Sequence, residues 1–166
     1  MAKRTLGIAV VGLGGAVGST MAAGIELLKK GLIGTEGLPL ADAAGPADYT
    51  DIVFAGWDLF PDDLATAAES HEVLTFIQHT AIESELRQIK PWPAIGDERF
   101  LSLIDGENKI GGGHRAVIDQ IRKNICELRT RCDAVVVINL ASTEKLSAEG
   151  NEIFNSLAGF KRALDE

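Results

Sequence analysis

Three short apolar segments recur along the chain, each next to a longer amphipathic segment. They lie at residues 6–11, 51–57 and 133–141, and the third contains the run Val135-Val136-Val137-Ile138. Nearly uninterrupted apolar stretches of this length are typical of strands that are buried on both faces of a parallel sheet. The sequence therefore predicts three strands, with the third as a central strand because its composition is so apolar.

Segments with apolar residues three or four positions apart predict three amphipathic helices. Their apolar stripes are Val17, Met21, Ile25, Leu28 and Leu32 in the first, Val117, Ile121, Ile125 and Leu128 in the second, and Ile153, Leu157, Phe160 and Leu164 in the third. The first helix is expected to end at Gly31, after Lys29 and Lys30. Shorter helices are predicted over residues 61–70, where Pro61 precedes two aspartates, and over residues 81–89.

The remaining segments predict loops and extended chain. Residues 33–50 are rich in Gly, Pro, Ala and Asp, and residues 106–113 are rich in Gly, so both predict loops. Lys90-Pro91-Trp92-Pro93 predicts an extended segment because each proline restricts the residue before it, and residues 99–104 predict a short strand. Strands alternating with helices indicate an α/β fold: a Rossmann-like, doubly wound parallel sheet with helices on both faces, built as one domain over residues 1–166.

Composition and charge narrow the classes of partner. The chain has 166 residues and a formal net charge of −8, which disfavours nucleic acid and anionic membranes because both bind clustered Lys and Arg. No apolar run is long enough to span a membrane. Cys126 and Cys132 form no disulfide framework, and together with His71, His79 and His114 they show no metal-ligand spacing. We therefore expect reduced thiols in a cytoplasmic protein without a metal site.

A glycine-rich turn separates the first predicted strand from the first predicted helix, and it reads Gly12-Leu13-Gly14-Gly15-Ala16-Val17-Gly18. Its glycines fit G-x-G-G-x-x-G, whereas the standard G-x-G-x-x-G would need glycine at Val17. A strand before such a turn and a helix after it form the context of a dinucleotide site. Gly12 suits the tight turn, Gly14 and Gly15 allow the backbone to approach a pyrophosphate, and Gly18 allows close packing of the helix on the sheet. The alternative is a purely structural turn.

An aspartate ends the second predicted strand. Asp58 is a candidate acceptor for the ribose hydroxyls, and its charge favours NAD over NADP because it would repel a 2′-phosphate. It follows Gly14 by 44 residues, whereas the usual interval is about 20. The predicted loop at residues 33–50 accounts for the excess. A solvated loop aspartate is the alternative.

Four segments, in the same order, resemble one family of enzymes across nearly the whole chain. They are residues 12–20, Gly56-Trp57-Asp58, Lys90-Pro91-Trp92-Pro93-Ala94-Ile95 and Ala141-Ser142-Thr143-Glu144. They are similar to the myo-inositol-phosphate synthases (inositol-3-phosphate synthases), whose N-terminal half shows G-x-G-G-N-N-G-S-T, G-W-D, K-P-x-P-S-I and T-A-N-T-E. The resemblance implies NAD contacts at Gly12, Leu13, Gly14, Gly15, Ala16, Val17, Gly18, Trp57, Asp58, Leu59, Ala94, Ile95, Leu140, Ala141, Ser142 and Thr143.

Several side chains depart from the family pattern. Ala16 and Val17 replace the paired asparagines of the turn, Ala94 replaces a serine, and Leu140 and Ser142 replace a threonine and an asparagine. The resemblance then implies that mainly backbone groups contact the cofactor.

One further polar residue lies in the third predicted strand. Asn139 interrupts an otherwise apolar segment, so it either faces the cofactor or is hydrogen-bonded in the core.

The resemblance implies conversion of glucose 6-phosphate to myo-inositol phosphate, with NAD reduced and regenerated within the cycle. The family's catalytic lysines lie in the second half of a longer chain, and Lys145, Lys161 and Arg162 do not match their motifs. We therefore expect the NAD-binding domain of a synthase-like protein, inactive alone, that binds a sugar phosphate only with that second half. Uncovered sheet edges favour a homo-oligomer. The alternatives are a stand-alone NAD-binding or regulatory module and, last, a short oxidoreductase.

Overall fold

The computed structural model describes residues 4–38, 48–96, 105–141 and 156–165. In this part of the chain the strands are β1 (Leu6–Val11), β2 (Ile52–Asp58), β3 (Trp92–Pro93) and β4 (Ala134–Asn139). The α-helices there are α1 (Ala16–Lys29), α2 (Leu64–Ser70), α3 (Phe76–Leu86), α4 (His114–Arg129) and α5 (Leu157–Asp165), and a 3₁₀ turn covers Tyr49–Asp51. None of the helices within these ranges is long and apolar enough to cross a membrane.

The described strands form one parallel sheet in the order β3-β2-β1-β4. The chain runs outward from β1 through β2 to β3 and then returns to the other side of β1 for β4. Because parallel crossovers are right-handed, this reversal places helices on opposite faces of the sheet. It also creates a topological switch point between β1 and β4, where ligands bind in open α/β sheets. The predicted doubly wound α/β fold is confirmed.

Two hydrophobic clusters lie on the two faces of the sheet. The first joins β1 and β2 to α1, α2 and α3, with Val10, Leu64 and Ile82 among its buried members. The second lies under α4 and includes Ala9, Trp57 and Leu128. Successive side chains of β1 therefore alternate between the two clusters, as a strand buried on both faces requires.

Helix α1 faces the sheet mainly with small residues, and of its predicted stripe Met21 and Ile25 pack partly buried against the same core cluster. Its buried residues are Gly18, Ser19, Ala22, Ala23 and Leu27, while Val17 is 59% exposed. Small side chains allow the helix axis to approach the sheet closely, and the larger predicted residues then lie at its flanks. The predicted end is confirmed, because Gly31 has a φ of +66° and Leu32 N donates to Leu27 O at 3.0 Å.

Two further predictions are corrected by the structure. Strand β4 is an edge strand of the described sheet and not a central one, and Val136 and Val137 are each about half exposed. Helix α3 spans Phe76–Leu86 rather than residues 81–89, because Thr75 forms a capping box with Gln78.

The other predicted elements are present where the structure describes them. Helix α2 begins at Leu64 rather than at the predicted Pro61, because the side chain of Asp63 caps it by accepting from Thr66 N, and β3 lies in the predicted extended segment. The strand predicted at residues 99–104 lies outside the described residues.

Candidate functional site

A cavity of about 740 Å³ opens at the carboxyl edge of the sheet. Its walls include the turn after β1, the end of β2, and the residues that follow β3 and β4. This location coincides with the switch point between β1 and β4, and the volume is typical of small-molecule and cofactor sites.

The glycine turn is anchored to the end of β2. Gly12 has a φ of +83°, and the backbone N–H groups of Gly12 and Leu13 donate to the Trp57 carbonyl at 2.9 and 3.2 Å. A positive φ of this size strongly favours glycine. The predicted tight turn at Gly12 is therefore present, and it lies against the backbone of Leu140 at the end of β4.

The absence of a side chain at Gly18 allows the first turn of α1 to pack closely against the backbone of the glycine turn. A Cβ at this position would overlap the Leu13 carbonyl oxygen and lie 2.8 Å from that of Gly12. The sequence predicts that Gly18 allows close packing of the helix on the sheet. In the structure, Gly18 instead lies close to the carbonyl groups of the glycine turn itself.

The N-terminus of α1 has no side-chain cap: its N-cap, Gly15, carries no side chain that could accept a hydrogen bond. The first N–H groups of a helix have no partner within the helix, and their partial positive charge suits an anion. Because Gly15, Ala16, Val17 and Gly18 line the cavity, the structure fits the pyrophosphate of a dinucleotide at this point.

The carboxylate of Asp58 is held by backbone amides at the cavity wall. It accepts hydrogen bonds from Gly14 N at 2.8 Å and from Phe60 N at 3.1 Å, and the residue is only 9% exposed. A Cβ on Gly14 would lie 3.2 Å from the carboxylate oxygen, so glycine gives it room. The structure thus shows a buried, hydrogen-bonded aspartate rather than a solvated one.

Trp57 supports the turn through its backbone while its ring lies in the core. The ring is packed against Trp92, with centroids 5.2 Å apart, and Nε1 donates to Asn124 Oδ1 at 3.2 Å. Trp57 is 4% exposed and Asn124 is also buried. This pair fixes α4 against the end of β2, and therefore against the carbonyl that holds the glycine turn.

The residues after β3 and β4 close the remaining walls. Ala94 N donates to Asn108 O and Ile110 N donates to Ala94 O, each at 2.9 Å, which forms an isolated parallel bridge between Ala94 and Lys109. After β4, Leu140 N donates to Val11 O at 2.9 Å. The side chain of Asn139 accepts from Ala141 N at 3.0 Å and is exposed. Asn139 is therefore not hydrogen-bonded in the core, and its contact with the cofactor stays a prediction.

The structure brings most of the predicted site residues to one cavity. Those that line it are Gly12, Gly14, Gly15, Ala16, Val17, Gly18, Trp57, Asp58, Leu59, Ala94, Ile95, Leu140 and Ala141. Leu13 instead packs fully buried in the core. Ser142 and Thr143 lie outside the described residues. Contact of these residues with NAD stays a prediction.

Several cavity residues had no signal in the sequence. They include Phe60, Asp62, Ser70, His71 and Ile110. His71 lies 57 positions from Gly14 in sequence, yet its Nε2 is 3.1 Å from the Gly14 carbonyl oxygen. No motif or spacing marks such a contact, because it depends on how α2 packs beside α1.

The described residues contain no group of three His, Cys, Asp or Glu side chains that could hold a metal ion. Both cysteines are free thiols. Burial raises the pKa of the Cys132 thiol.

The family model of an NAD-binding domain, described as Myo-inositol-1-phosphate synthase, matches residues 36–166. The chain belongs to the myo-inositol-1-phosphate synthase family. The resemblance found in the sequence is thereby confirmed, and so is NAD as the cofactor. The chain corresponds to the NAD-binding domain of these synthases.

Individual relatives are similar to the chain in sequence, and one solved structure is similar to it in fold. Inositol-3-phosphate synthase 1 of Bacteroides thetaiotaomicron is 34% identical over 179 residues, which covers 97% of this chain and 42% of that protein. Inositol-3-phosphate synthase of Drosophila melanogaster is 27% identical over 177 residues, covering 86% of this chain and 31% of that protein. The crystal structure of inositol-3-phosphate synthase from Caenorhabditis elegans matches with a TM-score of 0.78 at 18% identity, covering 98% of this chain and 39% of that one. The chain thus spans less than half the length of these relatives.

Proposed function

We propose that this chain holds NAD in the cavity at the carboxyl edge of its sheet, as the NAD-binding part of an inositol-3-phosphate synthase. The observation that carries the proposal is the uncapped N-terminus of α1, which faces the cavity beside the buried carboxylate of Asp58. An N-terminus of this kind suits the pyrophosphate.

Asp58 is pre-oriented for a ribose hydroxyl. A carboxylate offers about four acceptor sites, and Gly14 N and Phe60 N occupy two of them. A third is then left for a ribose hydroxyl. Asp62 also lines the cavity, so a 2′-phosphate would meet two negative charges. We therefore propose NAD, and not NADP, as the ligand.

Apolar side chains form the rest of the wall. Leu59, Phe60, Ile95 and Ile110 line the cavity, and Phe60 and Ile95 are each about half exposed. Burial of such surface against the flat rings of a dinucleotide is favourable. The site therefore combines donors for the phosphates, an acceptor for a ribose and an apolar wall for the rings.

In the whole protein we propose the conversion of glucose 6-phosphate to a myo-inositol phosphate. When bound, NAD supplies a hydride acceptor and then returns the hydride, so the net reaction is an isomerisation. This chain's residues bind and orient the cofactor, while ring closure requires an acid and a base. Because no lysine is among the described cavity residues, we propose that the sugar phosphate is bound only together with further residues of the parent protein.

Calorimetric titration with NAD and with NADP tests the binding proposal. NAD is expected to bind and NADP to bind more weakly. Absence of binding at about 1 mM NAD, by a chain that circular dichroism shows to be folded, contradicts it. An assay with glucose 6-phosphate and NAD separately tests whether catalysis needs further residues of the parent protein. Product formed by this chain alone would show that it carries out the whole reaction.

The second candidate is a stand-alone NAD-binding module without catalysis. It is favoured by the same lack of lysine among the described cavity residues. The mass of the natural protein distinguishes the two, because a synthase needs a longer chain.

We propose in addition a cytoplasmic location, which the free thiols Cys126 and Cys132 support. A homo-oligomer is supported by the half-exposed β4 residues Val136 and Val137. Light scattering at several concentrations tests the oligomer.

A further inference from the structure

His71 makes a contact that neither the cofactor motif nor the family resemblance includes. Its side chain lines the cavity, and Nε2 lies 3.1 Å from the Gly14 carbonyl oxygen in the glycine turn. Because a carbonyl oxygen can only accept, Nε2 carries the hydrogen in this bond. The second ring nitrogen, Nδ1, is then the atom that gains a proton when the imidazole becomes charged.

The end of α2 determines where this ring lies. His71 is the C-cap of the helix, and its backbone N–H donates to Ala67 O at 3.1 Å. The next residue, Glu72, has a φ of +53°, the one positive value at a non-glycine position in the part of the chain described. The chain thus reverses immediately after His71, with Val73 N donating to Ala68 O. This reversal leaves the ring beside the glycine turn.

The cavity contains few groups that can balance an anionic ligand. No Lys or Arg is among the described residues that line it, whereas Asp58 and Asp62 add two negative charges. The two asparagines that the family places in the turn are Ala16 and Val17 here. His71 is therefore the one side chain among those lining residues that can carry a positive charge.

The elements beside His71 differ in the charged and titratable residues that they contribute. On its own segment, Glu69 and Glu72 flank it in sequence, and from the end of β2, Asp58 and Asp62 line the same cavity. The start of α1 contributes only uncharged residues. Helix α3 contributes His79, whose Nε2 is engaged with the Ala65 carbonyl at 3.0 Å. In its protonated form the imidazole would attract the phosphates of a dinucleotide.

We propose that His71 is a cofactor-binding residue whose imidazolium form supplies the side-chain positive charge for the pyrophosphate of NAD. This inference rests on the proposed function, since it assumes a dinucleotide in the cavity. Histidine changes its charge between about pH 5 and 8, whereas the pyrophosphate keeps its negative charges over that range. Binding of NAD therefore takes up a proton and becomes tighter as the pH falls.

Two variants of His71 separate its charge from its hydrogen bond. His71→Gln retains a donor at the position of Nε2 but cannot become charged, and His71→Ala removes both. His79→Gln is the matched control, because His79 makes the same kind of bond to a carbonyl without lining the cavity. Calorimetric titration with NAD at about pH 6 and about pH 8, and with adenosine as a ligand without phosphate, measures the effect.

The expected result is that the unaltered chain and His79→Gln bind NAD about three- to tenfold more tightly at the lower pH. His71→Gln is expected to bind NAD with the same affinity at both pH values. It is expected to bind adenosine with the same affinity as the unaltered chain does. The same pH dependence in His71→Gln as in the unaltered chain would overturn the inference. Absence of NAD binding by the unaltered chain at either pH would instead overturn the proposed function.

Discussion

The carboxylate of Asp58 accepts the backbone N–H of Gly14 at 2.8 Å across an interval of 44 residues. The bond joins the end of β2 to the glycine turn after β1, and a second bond from Phe60 N fixes the other carboxylate oxygen. The same side chain that is proposed to bind the ribose therefore also stabilises the turn that is proposed to bind the pyrophosphate.

Asp58→Ala is accordingly expected to weaken both the fold and the cofactor site. It leaves two part-buried amide donors without an acceptor, which we expect to lower the free energy of unfolding by about 2–4 kcal/mol. Urea denaturation measures this loss, and NAD titration of the folded variant measures the weaker binding.

Asp62→Ala is the control for the loss of a carboxylate from the same cavity. Asp62 is exposed and lines the cavity, so its removal is expected to change stability by less than about 0.5 kcal/mol. Equal destabilisation by the two variants would show that the amide bonds of Asp58 contribute nothing.

Two glycines of α1 are expected to respond oppositely to alanine. In Gly18→Ala the new Cβ overlaps the carbonyl oxygens of Gly12 and Leu13. Relief of this overlap requires the backbone to shift, because both oxygens are backbone atoms. We expect a loss of about 2–3 kcal/mol in unfolding free energy, together with weaker NAD binding because the start of α1 is displaced.

Gly24→Ala supplies the comparison within the same helix. A Cβ there meets no atom within 4 Å, so the higher helix propensity of alanine is expected to add about 0.5–1 kcal/mol of stability. Thermal denaturation of both variants shows whether the melting temperature falls in Gly18→Ala and rises in Gly24→Ala. Destabilisation of similar size at both positions would contradict the assigned role of Gly18.

Local signals were sufficient to predict β1, α1 and most of the residues that line the cavity. An apolar run followed by a glycine turn is a pattern within one short segment, and the aspartate that ends β2 is visible in the same way. Within the described sheet β4 lies at the edge rather than at the predicted central position, because a run of valines indicates burial but not which strands lie on either side. Strand order depends on pairing between distant segments, which the sequence pattern does not contain.

Side-chain size explains a second, partial error. The stripe predicted for α1 was selected from its large apolar residues, yet Ala22 and Ala23 are fully buried while Met21 and Ile25 of that stripe are only partly buried. Hydrophobic periodicity gives little weight to alanine and glycine, although close helix–sheet packing requires them. The contact between His71 and the turn was missed for a related reason, since it arises only after α2 has packed against α1.

The buried pair of Trp57 and Asn124 offers a test of how the second core cluster supports the site. Asn124→Leu leaves the indole N–H of Trp57 without its acceptor and is expected to cost about 1–3 kcal/mol. Trp57→Phe removes the indole donor. Asn124 Oδ1 still has a hydrogen-bond donor in this variant, because Gln120 Nε2 lies 3.4 Å from it. The double variant is expected to lose less than the sum of the two single variants. Additive losses in urea denaturation would contradict a direct coupling between these side chains.

The two cysteines are expected to differ in their reaction with a thiol reagent. Burial, assisted by the negative charge of Asp133, raises the pKa of the Cys132 thiol against the opposing effect of Arg131, so less of it is thiolate at a given pH. Cys126 is exposed on α4. Because the thiolate is the reacting species, Cys126 is expected to react at least about tenfold faster near neutral pH.

Single variants assign the two rates. Cys132→Ser is expected to retain the fast phase and Cys126→Ser the slow one, and the slow rate should continue to rise above about pH 9, where more of the Cys132 thiolate forms. Unfolding in urea removes the burial of Cys132 and is expected to bring the two rates together. A slow phase that persists in urea would show that the difference does not arise from the fold, because the unfolded chain exposes both thiols to solvent.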